Sequence, residues 1–114
     1  MNKKFGFYSD KSAAISYESQ LSGLEEQTKA LLVELRNFVK SLGSNVIEEI
    51  RPHRIVYAKS LTFRTFLDVQ PRNDCLIISV RKGRTAPTIT YMVKSEQELE
   101  DIKHQIAEAC ETIK

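Results

Sequence analysis

Apolar side chains between residues 24 and 42 recur at intervals of three, four and seven: Leu24, Leu31, Leu32, Leu35, Phe38, Val39 and Leu42. This spacing lays one stripe along a helix of 3.6 residues per turn, with Glu25, Glu26, Lys29, Arg36 and Lys40 on its other faces. Ser22 is placed to cap the start, and Gly43 follows the last apolar residue as the expected terminating glycine. The period then shortens to two. Val46–Arg51 reads as a strand halted by Pro52, and Arg54–Lys59 as a second strand. In a third, residues 62–70, Phe63, Thr65, Leu67 and Val69 share one face while Arg64, Phe66 and Asp68 share the other. Residues 71–74 (Pro-Arg-Asn-Asp) signal a turn. Residues 75–81 form a fourth strand, with Leu76, Ile78 and Val80 opposite Cys75, Ile77, Ser79 and Arg81. Residues 88–94 form a fifth.

Helical spacing returns after Ser95. Ser95 and Glu98 match a capping box, and Leu99, Ile102, Ile106, Ala109, Cys110 and Ile113 make the apolar stripe that follows. The short connections suit antiparallel hairpins, because parallel crossovers need a dozen residues or more. Each helix has one stripe to bury. The economical fold is α+β: a two-layer sandwich in the order helix, four- or five-stranded antiparallel meander, helix, with both helices on one sheet face.

The chain has 114 residues, which suits one domain. Residues 22–114 supply the α+β unit. Residues 1–21 carry Phe5, Phe7, Tyr8, Ile15 and Tyr17 and are expected to pack on it or flank it, because exposed aromatic surface is costly. With 41% hydrophobic and 28% charged residues, the composition excludes wholesale disorder and a collagen-like repeat. No apolar run approaches the ~20 residues of a membrane helix, and the start lacks the apolar core of a secretory signal. Cys75 and Cys110 stand apart with no clustered ligands, so two reduced thiols in a cytoplasmic protein are expected, with no metal and no cofactor.

Charge is unevenly spread. Residues 51–84 hold eight basic and two acidic residues, whereas residues 85–114 hold three basic and six acidic ones. Such segregation suits an anionic partner for the middle of the chain. On the sheet face away from the helices, alternation places Arg64, Phe66, Ile77 and Arg81, with Lys94 as a further candidate. Arginines that hold phosphates beside a ring that stacks a base are the requirements of single-stranded nucleic-acid binding. Arg72, Arg81, Lys82 and Arg84 would form a rim at the loops. The competing arrangement covers Phe66 and Ile77 with Phe5, Phe7 or Tyr17. Catalytic patterns are missing: there is no G-x-S-x-G or H-E-x-x-H, and His53 and His104 have no nucleophile placed beside them.

Leu31 to Val39, Leu42-Gly43, Ile55 to Lys59, Phe66 to Pro71 and the closing Ser95-x-x-Glu98-Leu99 helix together resemble a small domain family. Its members end proteins labelled predicted transport proteins or lie beside restriction-type nuclease modules. The resemblance implies the α+β fold and a cytoplasmic accessory role, and it carries over no catalytic residue. Many members have a long loop with a histidine-tryptophan-glycine stretch where this chain has only residues 83–88, and this chain has no tryptophan. The sequence thus leads to a non-enzymatic binding module. Arg64, Phe66, Arg72, Arg81, Lys82 and Arg84 are its candidate nucleic-acid or anion contacts. A protein-interaction or self-association domain and a small-ligand domain with a pocket lined by Tyr57, His53 and Asp68 are the alternatives. No membrane partner is expected.

Overall fold

A computed structural model describes residues 16–60, 62–83 and 85–113. The expectations for Phe5, Phe7, Tyr8, Ile15 and Arg84 lie outside these described residues. A short helix, α1 (Tyr17–Leu21), opens them, followed by α2 (Glu26–Lys40), five strands and α3 (Glu96–Thr112). The strands are β1 (Val46–Arg51), β2 (Arg54–Lys59), β3 (Thr65–Arg72), β4 (Cys75–Val80) and β5 (Ile89–Val93). Every ladder is antiparallel, and the spatial order is the sequence order, β1-β2-β3-β4-β5. Helices α2 and α3 touch each other and both touch β3 and β4, so both lie on one sheet face. The molecule is an α+β sandwich of two layers.

The core follows from the register. Ile55, Val69, Ile78 and Tyr91 form one row across the sheet, and Tyr57, Leu67, Val80 and Ile89 form the next. Leu31, Leu32, Leu35 and Val39 of α2 close on these rows together with Leu99, Ile102, Ile106 and Ala109 of α3. Tyr17 and Leu21 of α1 pack against the same cluster. Pro71 is tolerated in β3 because β2 pairs only as far as Val69, leaving no neighbour to miss its absent N–H.

Two helix boundaries differ from the sequence reading. Ser22 ends α1 instead of starting α2, since Ser16 has already capped a turn at Tyr17. Gly23, at φ +84°, then turns the chain, and the Glu25 N–H bonds to the Asn73 carbonyl (2.9 Å), fixing where α2 begins. At the other end α2 finishes at Ser41 in an ordinary right-handed conformation, and Gly43 does not adopt a left-handed one. The start of α3 meets its expectation. Ser95 accepts from the Glu98 N–H (3.2 Å), and Glu98 Oε1 accepts in turn from the Lys94 N–H (2.7 Å).

The largest departure is in β3. The β2–β3 register pairs Tyr57 with Leu67 but Ala58 with Thr65, so Phe66 is an extra, bulged residue. A bulge breaks strict alternation and re-aims a side chain. Phe66 has no exposed surface and belongs to the core cluster. Phe63 lies before the strand and is 75% exposed, at φ +56°. The two phenylalanines have exchanged the roles that period-two spacing assigns them.

Candidate anion-binding corner

The sheet has two ends, and the basic residues singled out from the sequence divide between them. Arg64, Arg81 and Lys82 lie where β2 passes to β3 and where β4 leaves the sheet. Arg72 lies at the other end of β3, about 23 Å away at ~3.3 Å per residue. It lines a separate polar cleft of about 690 Å³ with His53 and Asp74. The structure therefore brings Arg64, Arg81 and Lys82 together and leaves Arg72 out.

At the first end the C-terminus of α3 sets the local electrostatics. Its last turn holds no basic residue of its own, so its terminal carbonyls need positive charge from elsewhere. Lys59 supplies it from β2, donating from Nζ to the Cys110 carbonyl (2.9 Å). Lys82 pairs with Glu108 (2.9 Å), and the Lys82 carbonyl accepts from the Thr112 hydroxyl (2.8 Å). The hydrogen bond and charge of Lys82 hold the Glu108 carboxyl below the usual range. Lys82 is thus tied to the helix end.

Arg64 is different. Its Nε is buried with no hydrogen-bond partner, although its backbone carbonyl accepts from the Lys59 N–H (3.1 Å). With Thr65, Arg81 and Ile113 it lines a cavity of about 200 Å³. Arg81 is held in place there: its backbone N–H bonds to the Phe66 carbonyl (2.9 Å) and its Nε to the Gly83 carbonyl (3.2 Å). Phe63 stands next to Arg64 on the same loop. Its N–H bonds to the Lys59 carbonyl (2.7 Å), closing a tight turn that holds the ring out in solvent. A left-handed backbone at a bulky residue is an outlier, and such strain concentrates where ligands are held. The corner therefore offers an exposed ring, an arginine with an unmet donor and a second, positioned arginine. Sequence reasoning missed Phe63 because residues 60–64 contain no glycine, asparagine or proline to mark a turn.

The open sheet face is not the continuous basic surface expected. Arg51 pairs with Glu49 (3.1 Å) and Arg54 with Asp68 (2.9 Å), which balances charge over β1, β2 and β3. Phe66 is withdrawn into the core and cannot stack a base, so its assignment as a contact is corrected. Among the described residues, Tyr57, His53 and Asp68 do not share a pocket, as the small-ligand alternative would need. Tyr57 donates to Glu48 Oε2 (2.8 Å), Asp68 is paired with Arg54, and His53 sits exposed in the β1–β2 turn.

Tyr57 belongs to a half-buried polar cluster on the helix side. Arg36 donates to both Glu48 oxygens (2.9 Å each), Lys40 approaches at 3.5 Å, and the Arg36 guanidinium lies 3.8 Å from the centre of the Tyr17 ring. Burial pushes the Glu48 carboxyl up. The hydrogen bonds from Arg36 and Tyr57, with the charges of Arg36 and Lys40, outweigh it and hold the group below its usual range. Burial, then Glu48, raises the Tyr57 hydroxyl far above the ordinary tyrosine value, so it stays a donor. This cluster fastens α1, α2 and β1 together. Among the described residues no three His, Cys, Asp or Glu side chains gather as metal ligands, and Cys75 and Cys110 are free and buried. No described helix is long and apolar enough to cross a membrane.

No known protein family, curated protein or solved structure matches this chain.

Proposed function

We propose that the protein is a binding module for single-stranded nucleic acid, engaged at the corner formed by Phe63, Arg64 and Arg81. The observation that carries this reading is Phe63, a ring held in solvent by a left-handed backbone beside the unsatisfied Arg64. Aromatic stacking is worth ~1–3 kcal/mol per base and is available only where bases are unstacked, which favours a single strand over a duplex. Arg64 and Arg81 would take the neighbouring phosphates, the guanidinium fork matching two phosphate oxygens at once. The resemblance of the sequence to a family whose members lie beside nuclease modules would suit such a partner, and an accessory, non-catalytic role would suit a chain whose described residues gather no metal-ligand set.

Fluorescence anisotropy with a labelled oligothymidylate of about 12 nucleotides tests the reading. Log affinity should fall linearly with log salt, with a slope of about −1.4 for two phosphate contacts and about −0.7 for Arg64→Ala. Phe63→Ala should weaken binding by about five- to one-hundred-and-fifty-fold, with Phe63→Tyr nearly unaffected. No association at low ionic strength, or unchanged affinity in Phe63→Ala, rejects the proposal.

A further inference from the structure

The sheet has two edges, and among the described residues only one is defended. On β1, Glu49 and Arg51 are exposed charges and Glu48 is locked to Arg36. Strand β5 contains no charged residue, no proline and no register shift. Natural edge strands use those devices to deter pairing with another chain. Among the described residues, β5 pairs only with β4, and no other backbone bonds to its outer side. Two of the four exposed large hydrophobic residues described, Ile89 (48%) and Met92 (59%), lie on this strand, one on each sheet face.

Beneath the edge, a groove of about 520 Å³ runs between β5 and α3. Tyr91, Val93 and Ile102 form its apolar lining, and Glu98, Asp101 and Gln105 its polar rim. Glu98 accepts from the Lys94 N–H and Asp101 from Gln97 Nε2, so neither carboxylate has a cationic partner among the described residues.

We propose that the free edge of β5 takes up an extended basic peptide as an added strand. The backbone of β5 supplies the pairing, as in other strand-addition complexes. Side chains of the added strand alternate between faces. Those over the groove cover Ile89 and Tyr91 with their aliphatic stems and bring ammonium or guanidinium heads to Glu98 and Asp101. Those on the other face sit beside Thr90 and Met92. Charge decides the occupant. A second copy paired through β5 would bring its own acidic α3 to the same seam, whereas a peptide with lysine or arginine at alternate positions meets the carboxylates with opposite sign. The site lies on the β5 edge, away from the Phe63 loop, and does not rest on the nucleic-acid reading.

The test uses the full chain and a dye-labelled peptide of about seven residues alternating lysine and valine, matched to the length of β5. Two comparison peptides are needed: one alternating glutamate and valine, and the lysine peptide N-methylated at every second backbone nitrogen. Anisotropy should rise with the lysine peptide alone, and Asp101→Asn should weaken that binding about fivefold. Equal binding of the N-methylated peptide overturns strand addition, because only surface charge would then be at work. Equal or no binding of the lysine and glutamate peptides overturns the assignment of charge. A chain that sediments as a dimer without peptide, and as a monomer once Met92→Lys is introduced, gives the edge to a second copy and also overturns the proposal.

Discussion

Replacing Phe63 by glycine and by alanine should invert the usual ranking of those two residues. At an ordinary position alanine is favoured by ~0.5–1 kcal/mol, because glycine loses more freedom on folding. Phe63 sits at φ +56°, where any side chain with a Cβ pays ~1–2 kcal/mol. The difference leaves Phe63→Gly about 0.5–1 kcal/mol more stable than Phe63→Ala. The wild type should lie close to the glycine variant. Its ring is 75% exposed, so it recovers only about 0.5 kcal/mol of apolar burial against the same backbone cost. Urea unfolding of all three proteins, with a shared slope, gives the ranking directly. Thermal melts should separate glycine from alanine by about 2–4 °C for a domain of this size. An alanine variant as stable as the glycine variant, or more so, would show that residue 63 is not held left-handed in solution, and the argument that strain presents the ring would fall. Both variants should bind oligothymidylate more weakly than the wild type and about equally, so stability and binding are expected to part company at this one position.

Phe66→Ala should cost about 3–5 kcal/mol, since the ring is wholly buried in the core, and the urea midpoint should drop with little change in slope; a loss below about 1 kcal/mol would contradict its placement. Glu48→Gln should cost about 2 kcal/mol at neutral pH, the worth of charge-assisted hydrogen bonds to Arg36 and Tyr57. The Glu48 carboxyl titrates lower folded than unfolded, so its contribution is complete above the unfolded value of about 4.3 and vanishes as pH falls through the folded one. The gap between the two proteins should therefore narrow as pH falls below the unfolded value, and a gap independent of pH would refute the assignment. Ser95→Ala should lose about 1 kcal/mol while Ser95→Asp retains stability, because the side-chain oxygen accepts from the Glu98 N–H.

Leu31, Leu32, Leu35 and Val39 announced a helix, and Leu76, Ile78 and Val80 a strand face, because each set answers to a local period that burial then enforces. Ser95 announced a helix start for an equally local reason. Positions that depend on a distant partner were not legible. Whether Phe63 or Phe66 enters the core turns on a single-residue slip between β2 and β3, which leaves no mark in the composition of either strand. Lys82 and Arg64 look alike as basic residues beside strands. Only the docking of the α3 C-terminus occupies one and leaves the other with an unmet donor. The pairs Arg54–Asp68 and Arg51–Glu49 likewise needed side-chain placement on the folded sheet before the open face could be recognised as balanced.

The meander also constrains how the chain assembles. Each strand finds its ladder in its immediate neighbour, across Pro52 and His53 or Asn73 and Asp74 at the shortest. Those contacts are local, of the kind that close in microseconds and keep contact order low. The helix layer is the reverse, since α2 and α3 touch each other although all five strands separate them in sequence. Hairpins can therefore zip early, while closure of the apolar layer waits on α3, which follows all five strands in the chain. Until α3 docks, one wall of the core stands open.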